Sequence, residues 1–260
     1  MFIEEKDFPT VRTRLASFIR EEIHRSGRRK AVLGLSGGLD SAVVAYLCAE
    51  ALGAENVLCL ILPVGSSDRR NIDDAHELAD RLGVRKEELN IDPAVDALVA
   101  TDPGMNRVRR GNIAARVRMI LLYDRSARDN ALVVGTGNRT EILLGYYTLH
   151  GDGACAINPI GRLYKTEVRR LARHLGVPEK IIGKAPSADL WKGQTDEGEL
   201  GFTYGEADEI LHSLVDEKMP VPDVVSRGYR ESVVRSIEEK MQSSRFKRQP
   251  PSIAPMGDRS

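Results

Sequence analysis

Residues 36–41 read Ser-Gly-Gly-Leu-Asp-Ser and join an apolar run, 31–35, to a helix-like segment, 41–52. That junction holds the parts of an anion site. Free backbone N–H groups and the dipole of a helix N-terminus point at such a turn, while glycines let the main chain approach and hydroxyls donate hydrogen bonds. Charge-assisted bonds contribute about 1.5–3 kcal/mol each and the dipole up to about 2 kcal/mol, so several together suffice for a pyrophosphate. The segment differs from the triphosphate loop GxxxxGK[ST], because no lysine precedes Ser41, and from the dinucleotide pattern GxGxxG. It carries Asp40 instead. A carboxylate beside phosphate is repulsive unless a cation lies between, which points to a magnesium ion bridging carboxylate and phosphate oxygens. The alternative is a plain helix cap, in which Asp40 and the glycines only turn the chain.

The elements that must position this loop follow from the apolar pattern. A helix over 11–26, with Val11, Leu15, Ile19 and Ile23 in register, precedes strand 31–35, helix 41–52, strand 57–62 and helix 69–82. A strand over 88–91, a short helix after Pro93, a long helix over 113–126 and a buried strand in "ALVVGT" follow. Short β-branched runs alternating with helices predict an α/β fold: a doubly wound parallel sheet of about five strands with flanking helices. Beyond residue 145 the apolar strands stop, and a helical C-terminal extension follows with a polar loop, "KAPSADLWKGQTDEGELG", and two further helices. We expect a single domain over 1–260, with a nucleotide-binding core at about 28–176 and a lid loop, helices and tail at about 177–260. Ligands of parallel sheets bind at the carboxyl ends of the strands, so "SGGLDS", "PVGSSDRR" and "GTGNRTE" should converge.

Charge narrows the partner. Lys plus Arg and Asp plus Glu both number 38, so no overall field draws the chain to nucleic acid or an anionic membrane, and neither partner is expected. The longest apolar run, 57–64, is too short to cross a bilayer, and the start "MFIEEKDF" lacks a signal-peptide pattern. A cytoplasmic protein is expected. Cys48, Cys59 and Cys155 form no CxxC pair and read as small core residues.

The loop SGGLDS resembles the pyrophosphatase loop of the N-type ATP pyrophosphatases, which cleave ATP between its α and β phosphates. "LPVGSSDRRNIDDA", "GNIAARVRM", "VVGTGNRTEILLGYYTLHGDGACAINPIGRLYKTEV", "KAPSADLWKGQTDEGELG" and "FKRQPP" resemble, in order, segments of ammonia-dependent NAD synthetases across nearly the whole chain. The resemblance implies an adenine nucleotide alpha hydrolase-like sheet. It also implies ATP-dependent amidation of deamido-NAD by ammonia through an adenylated intermediate, giving NAD, AMP and pyrophosphate. Carried over by position, it assigns Gly34, Leu35, Ser36, Gly37, Gly38, Leu39, Asp40, Ser41, Thr136, Lys165 and Ser187 to ATP, with Asp40 and Glu141 holding Mg2+. Without the resemblance, Lys165 reads as a solvated lysine at a helix start. Deamido-NAD is assigned Arg116, Leu149, Ala156, Phe246 and Lys247.

Three of those positions depart from the pattern. Many relatives read "TKYGDGGTDINP" where this chain reads "TLHGDGACAINP", so Leu149 and Ala156 replace a lysine and an aspartate, and Phe246 replaces a histidine. The Gly151-Asp152-Gly153 turn is kept, and its backbone is available to substitute. Trp191 sits in the expected lid loop, and Asp189 there is a candidate to deprotonate ammonium. The resemblance covers the synthetase half alone, so free ammonia is the expected donor, and no protein nucleophile is required. A homodimer is expected from the family, with the dinucleotide near its interface. Two rivals differ in class: a tRNA-modifying ATP pyrophosphatase would need paired cysteines and a basic surface, and a regulatory nucleotide sensor would have little reason to place both Asp40 and Glu141 at a metal.

Overall fold

The computed structural model describes residues 2–187 and 195–254. In chain order the elements are α1 (Phe8–Arg25), β1 (Lys30–Gly34), α2 (Leu39–Leu52), β2 (Val57–Ile61), α3 (Arg69–Leu82), β3 (Arg85–Glu88), α4 (Asp92–Val99), α5 (Arg107–Asp129), β4 (Ala131–Val133) and α6 (Arg139–Leu144). Then come α7 (Lys165–Leu175), α8 (Glu179–Ile182), α9 (Asp196–Leu200), α10 (Tyr204–Leu211), a π-helical turn (His212–Asp216), α11 (Val221–Ser226) and α12 (Glu231–Ser243). The strands are parallel in the order β3-β2-β1-β4, with Leu33 level with Cys59 and Val32 with Val133. The chain winds outward from β1 and then returns to its other side. The carboxyl ends of β1 and β4 therefore flank the crevice where such sheets bind ligands.

Alternation along the strands sorts side chains to two covered faces. Ala31, Leu33, Cys59 and Ile61 pack under α1, α2, α3 and α7, whereas Val32, Leu58, Leu60 and Val133 pack under α4 and α5. Strands buried on both faces must be apolar at every position, which is why they read as continuous runs. A third cluster joins Leu144 of α6 and Tyr164 to apolar residues of α9 to α12. Residues 138–164 thus lie on the seam between the sheet layer and the C-terminal helices.

Several boundaries differ from the sequence expectation. The third strand is Arg85–Glu88, upstream of 88–91, because an edge strand needs no apolar run. Leu89 and Ile91 continue its bonding to the Ile61 and Pro63 carbonyls at 3.0 and 3.1 Å, and Ile91 enters the core. Helix α5 begins at Arg107 rather than 113; Asn106 caps it, and its arginine-rich first turn hides it from apolar periodicity. Four strands form the described sheet where about five were expected; beside β4 the next segment makes only the single parallel bridge Val134–Ile157. Among the described residues, three α-helices, α10 to α12, follow the polar loop where two were expected, and α9 lies within the loop; α9 and α11 are too short for a 3.6-residue period to register.

Two glycines with similar φ separate backbone strain from crowding. Gly176 (φ +78°) closes α7 in open space, whereas a Cβ on Gly37 (φ +75°) would overlap the Asn71 carbonyl of α3. Gly176→Ala should cost only left-handed strain, about 1–2 kcal/mol, and Gly37→Ala a further 1–3 kcal/mol or so from overpacking. Urea unfolding of both variants checks this; equal losses would contradict it.

Candidate active site

The three loops converge on a cavity of about 810 Å³ at the carboxyl ends of the strands. Ser36 and Gly38 line it from the first loop, Pro63 and Ser67 from the second, Thr136 and Gly137 from the third. The first loop is braced from within. The buried Ser41 hydroxyl lies 3.1 Å from the Ser36 hydroxyl and donates to the Gly38 carbonyl at 3.1 Å, and the Gly38 amide donates to the Ser36 oxygen at 3.2 Å. Ser41 therefore holds the turn while Ser36 stays exposed. The Lys184 ammonium reaches the Gly37 carbonyl at 2.9 Å and the Asn71 side-chain oxygen at 2.8 Å, tying the turn to α3.

At the floor of the cavity the Lys165 ammonium sits between two carboxylates. It bonds Asp40 Oδ2 and, at 3.0 Å, Glu141 Oε1. Lys165 is 4% exposed, so it is no solvated helix-start residue. The cation that Asp40 requires is here an ammonium. Asn138 orients both acids: its side-chain amide donates to Asp40 Oδ1 at 3.0 Å, and it forms a capping box with Glu141 at the start of α6. The face of the Tyr204 ring lies 5.0 Å from the ammonium.

Burial pushes the Glu141 carboxyl up to about 7, against the attraction of Lys165 and with the help of the Asp40 charge. Burial would lower the lysine, but Asp40 and Glu141 together raise it. Among the described residues no group of three or more His, Cys, Asp or Glu side chains forms a self-sufficient metal site. Asp40 and Glu141, which both line the cavity, are the hard oxygen donors that Mg2+ takes one or two at a time, with water and substrate phosphates completing its shell; the position between them is filled by the Lys165 ammonium, so a metal would share their oxygens with it.

Of the residues expected at ATP, Gly34, Leu35, Ser36, Gly38, Leu39, Asp40, Ser41, Thr136, Lys165 and Ser187 line this cavity, and Gly37 supports the loop from behind it. The residues expected at the dinucleotide divide. Lys247 lines the cavity with its ammonium on the Gly145 and Tyr147 carbonyls, both at 2.7 Å. Arg116, Leu149, Ala156 and Phe246 stand outside its lining; Arg116 donates to the Leu149 carbonyl at 3.3 Å and Phe246 is 61% exposed. Trp191 and Asp189 lie outside the described residues. Cys48 and Cys59 are core residues as expected, but Cys155 lines the cavity, where burial pushes its thiol up.

Sequence reasoning missed Asn138, although Asn followed by Glu three residues later is a capping-box signature. It also missed Lys184, as well as Asp196, which accepts the Tyr146 and Tyr204 hydroxyls at 3.2 and 3.0 Å. No local signal marks these, since their partners are distant in sequence.

A family model described as NAD synthase matches residues 11–251. The NH(3)-dependent NAD(+) synthetase of Chlorobaculum parvum is 48% identical over 254 residues, covering 98% of this chain and 92% of that protein. Among solved structures, the NH3-dependent NAD synthetase of Campylobacter jejuni is 37% identical with a TM-score of 0.82, covering 96% of this chain and 99% of that one. The NMN synthetase of Francisella tularensis is 34% identical with a TM-score of 0.85, covering 97% and 99%.

The raised Glu141 carboxyl makes stability depend on pH. Between its unfolded value, about 4.5, and its folded value, about 7, the native state holds a proton that the unfolded chain has released. Its contribution is full below that window and is lost as pH rises through 7. The melting temperature of the wild type relative to Glu141→Gln should therefore fall by at least about 3 °C from pH 5 to pH 8, read by scanning calorimetry in chelator. A flat difference would contradict the burial of this acid.

Proposed function

The chain belongs to the NAD synthase family, and on that premise we propose that it joins ammonia to the nicotinate carboxyl of deamido-NAD while ATP is cleaved to AMP and pyrophosphate. The observation that carries this reading is one cavity uniting the glycine turn with Asp40, Glu141 and Lys165. The carboxylate of deamido-NAD attacks the α-phosphorus and expels pyrophosphate; ammonia then attacks the acyl carbon and expels AMP. Both nucleophiles come with the substrates. The protein has to align two polyanions and offset developing charge, the positioning and electrostatic contributions familiar from phosphoryl transfer.

The exposed Ser36 hydroxyl and the amides at the start of α2 bind the departing phosphates, with Gly37 and Gly38 keeping side chains out of the way. Thr136 and Ser187 add hydroxyl contacts to ATP. Lys165 supplies a fixed positive charge beside the phosphates, and Asp40 and Glu141 hold it in place. The same two acids would hold Mg2+, which when bound neutralises charge on phosphate oxygens. Lys247 and the turn at Gly151-Asp152-Gly153 bound the nicotinate side. Arg116, Leu149, Ala156 and Phe246 lie beyond the cavity lining and serve the dinucleotide, with Leu149, Ala156 and Phe246 on its nicotinate side, near the interface of a homodimer. The core over 28–176 and the C-terminal part over 177–260 act as one domain, in the cytoplasm.

The test is product formation by the purified chain. NAD should form from deamido-NAD, ATP and ammonium, with glutamine unable to replace ammonium, and nicotinic acid mononucleotide should be the poorer acceptor. Asp40→Asn should fold and lose at least about 10²-fold in turnover, and Ser36→Ala about 10²–10³-fold. Preference for the mononucleotide, or full activity of Asp40→Asn, would overturn the reading.

A further inference from the structure

Glu141 and Lys165 belong to different helices, yet their side chains meet at 3.0 Å. Their main chains are joined one residue away. Asp208, on α10 and fully buried, accepts the Thr140 hydroxyl on Oδ1 at 2.5 Å. Its Oδ2 accepts the Thr166 amide at 2.8 Å and the Thr166 hydroxyl at 2.7 Å. The Thr140 oxygen in turn accepts the Lys165 amide at 3.0 Å. One carboxylate from the C-terminal layer thus holds the first turns of α6 and α7 at the residues adjoining Glu141 and Lys165. For α7 it satisfies a first-turn amide from a distant element, a task that the local Asn138 performs for α6.

A joint needed only for stability would be better made of apolar side chains. Asp208 is fully buried, its hydrogen-bond donors Thr140 and Thr166 are neutral, and burial pushes its carboxyl above the usual range. What the carboxylate adds is direction. Its two oxygens fix two helix starts at once, each by hydrogen bonds of defined angle.

We infer that Asp208 is a positioning residue for the amidation: by fixing Thr140 and Thr166 it sets the spacing of Glu141 and Lys165 where they act on the phosphates. This rests on the function proposed above. Asp208 does not touch the cavity, so its loss misplaces groups without removing a substrate contact. A misplacement of about 1 Å at a reacting centre costs about 10²-fold in rate.

Crystal structures and steady-state kinetics of Asp208→Ala and Asp208→Asn test this. In Asp208→Ala the Lys165–Glu141 contact should open beyond hydrogen-bonding distance, with kcat about 10²-fold lower and KM for ATP and deamido-NAD within about threefold. Asp208→Asn should recover to within about fivefold of wild type, because an amide oxygen still accepts from Thr166 and its N–H can donate to the Thr140 oxygen. If Asp208→Ala does not fold, Thr140→Val carries the test, with about tenfold lower kcat and KM within threefold. A folded Asp208→Ala with wild-type kcat, or an Asn variant as impaired as the Ala variant, would overturn the inference. The two readings fail separately: a wild type that makes no NAD overturns the function, whereas an unchanged Lys165–Glu141 spacing in Asp208→Ala overturns the positioning role whether or not NAD is made.

Discussion

An ammonium taken out of water must find carboxylates, because an unpaired charge in a protein interior costs several kcal/mol. Lys165, Asp40 and Glu141 meet that requirement together, and they come from the first turns of α7, α2 and α6. The three helix starts therefore face one another across the ammonium. Each is fixed by a different device: α2 by the braced serine–glycine turn, α6 by the Asn138–Glu141 capping box, and α7 by Glu167 on the Tyr164 amide and Asp208 on the Thr166 amide. The charge cluster sits where all three converge.

That convergence explains why the site lies on a seam. The parallel sheet supplies the glycine turn and one wall, while the C-terminal helices supply the support for α6 and α7. The segment after α12 returns to the same place: Arg248 donates to the Leu143 carbonyl at 2.8 Å and, beside the Gly145 amide, to the Ile142 carbonyl at 3.2 Å, and Lys247 continues the clamp onto Gly145 and Tyr147. A reaction whose nucleophiles arrive with the substrates needs this kind of frame more than it needs a reactive side chain. Positively charged groups held in fixed places offset charge on the phosphates without reorganising during the reaction.

The sequence was most informative where chemistry and local structure coincide. The run into SGGLDS is strand, turn and helix at once, so the glycine turn, its neighbouring strands and the convergence of three loops could be read from residue order. Glu141 was legible only through resemblance, although the Asn138–Glu141 spacing signals a helix start by itself. Lys165 looked like a surface lysine because nothing nearby announces that Asp40, 125 positions away, will face it. Asp208 and Lys184 were invisible for the same reason: each acts on main-chain and side-chain atoms brought close only by the fold. Edge strand β3 and helix α5 were misplaced because charged residues there carry the hydrogen-bond pattern without an apolar period.

The central claim is that Lys165 and its two carboxylates form one coupled unit around a buried ammonium. A double-mutant cycle on urea-unfolding free energy, with Lys165→Met, Asp40→Asn and the double variant, measures that coupling most directly. If the unit exists, Lys165→Met alone is strongly destabilising, the double variant recovers part of the loss, and the interaction energy is at least about 2 kcal/mol. Additivity within about 0.5 kcal/mol would mean that the three charges do not depend on one another, and would contradict the account.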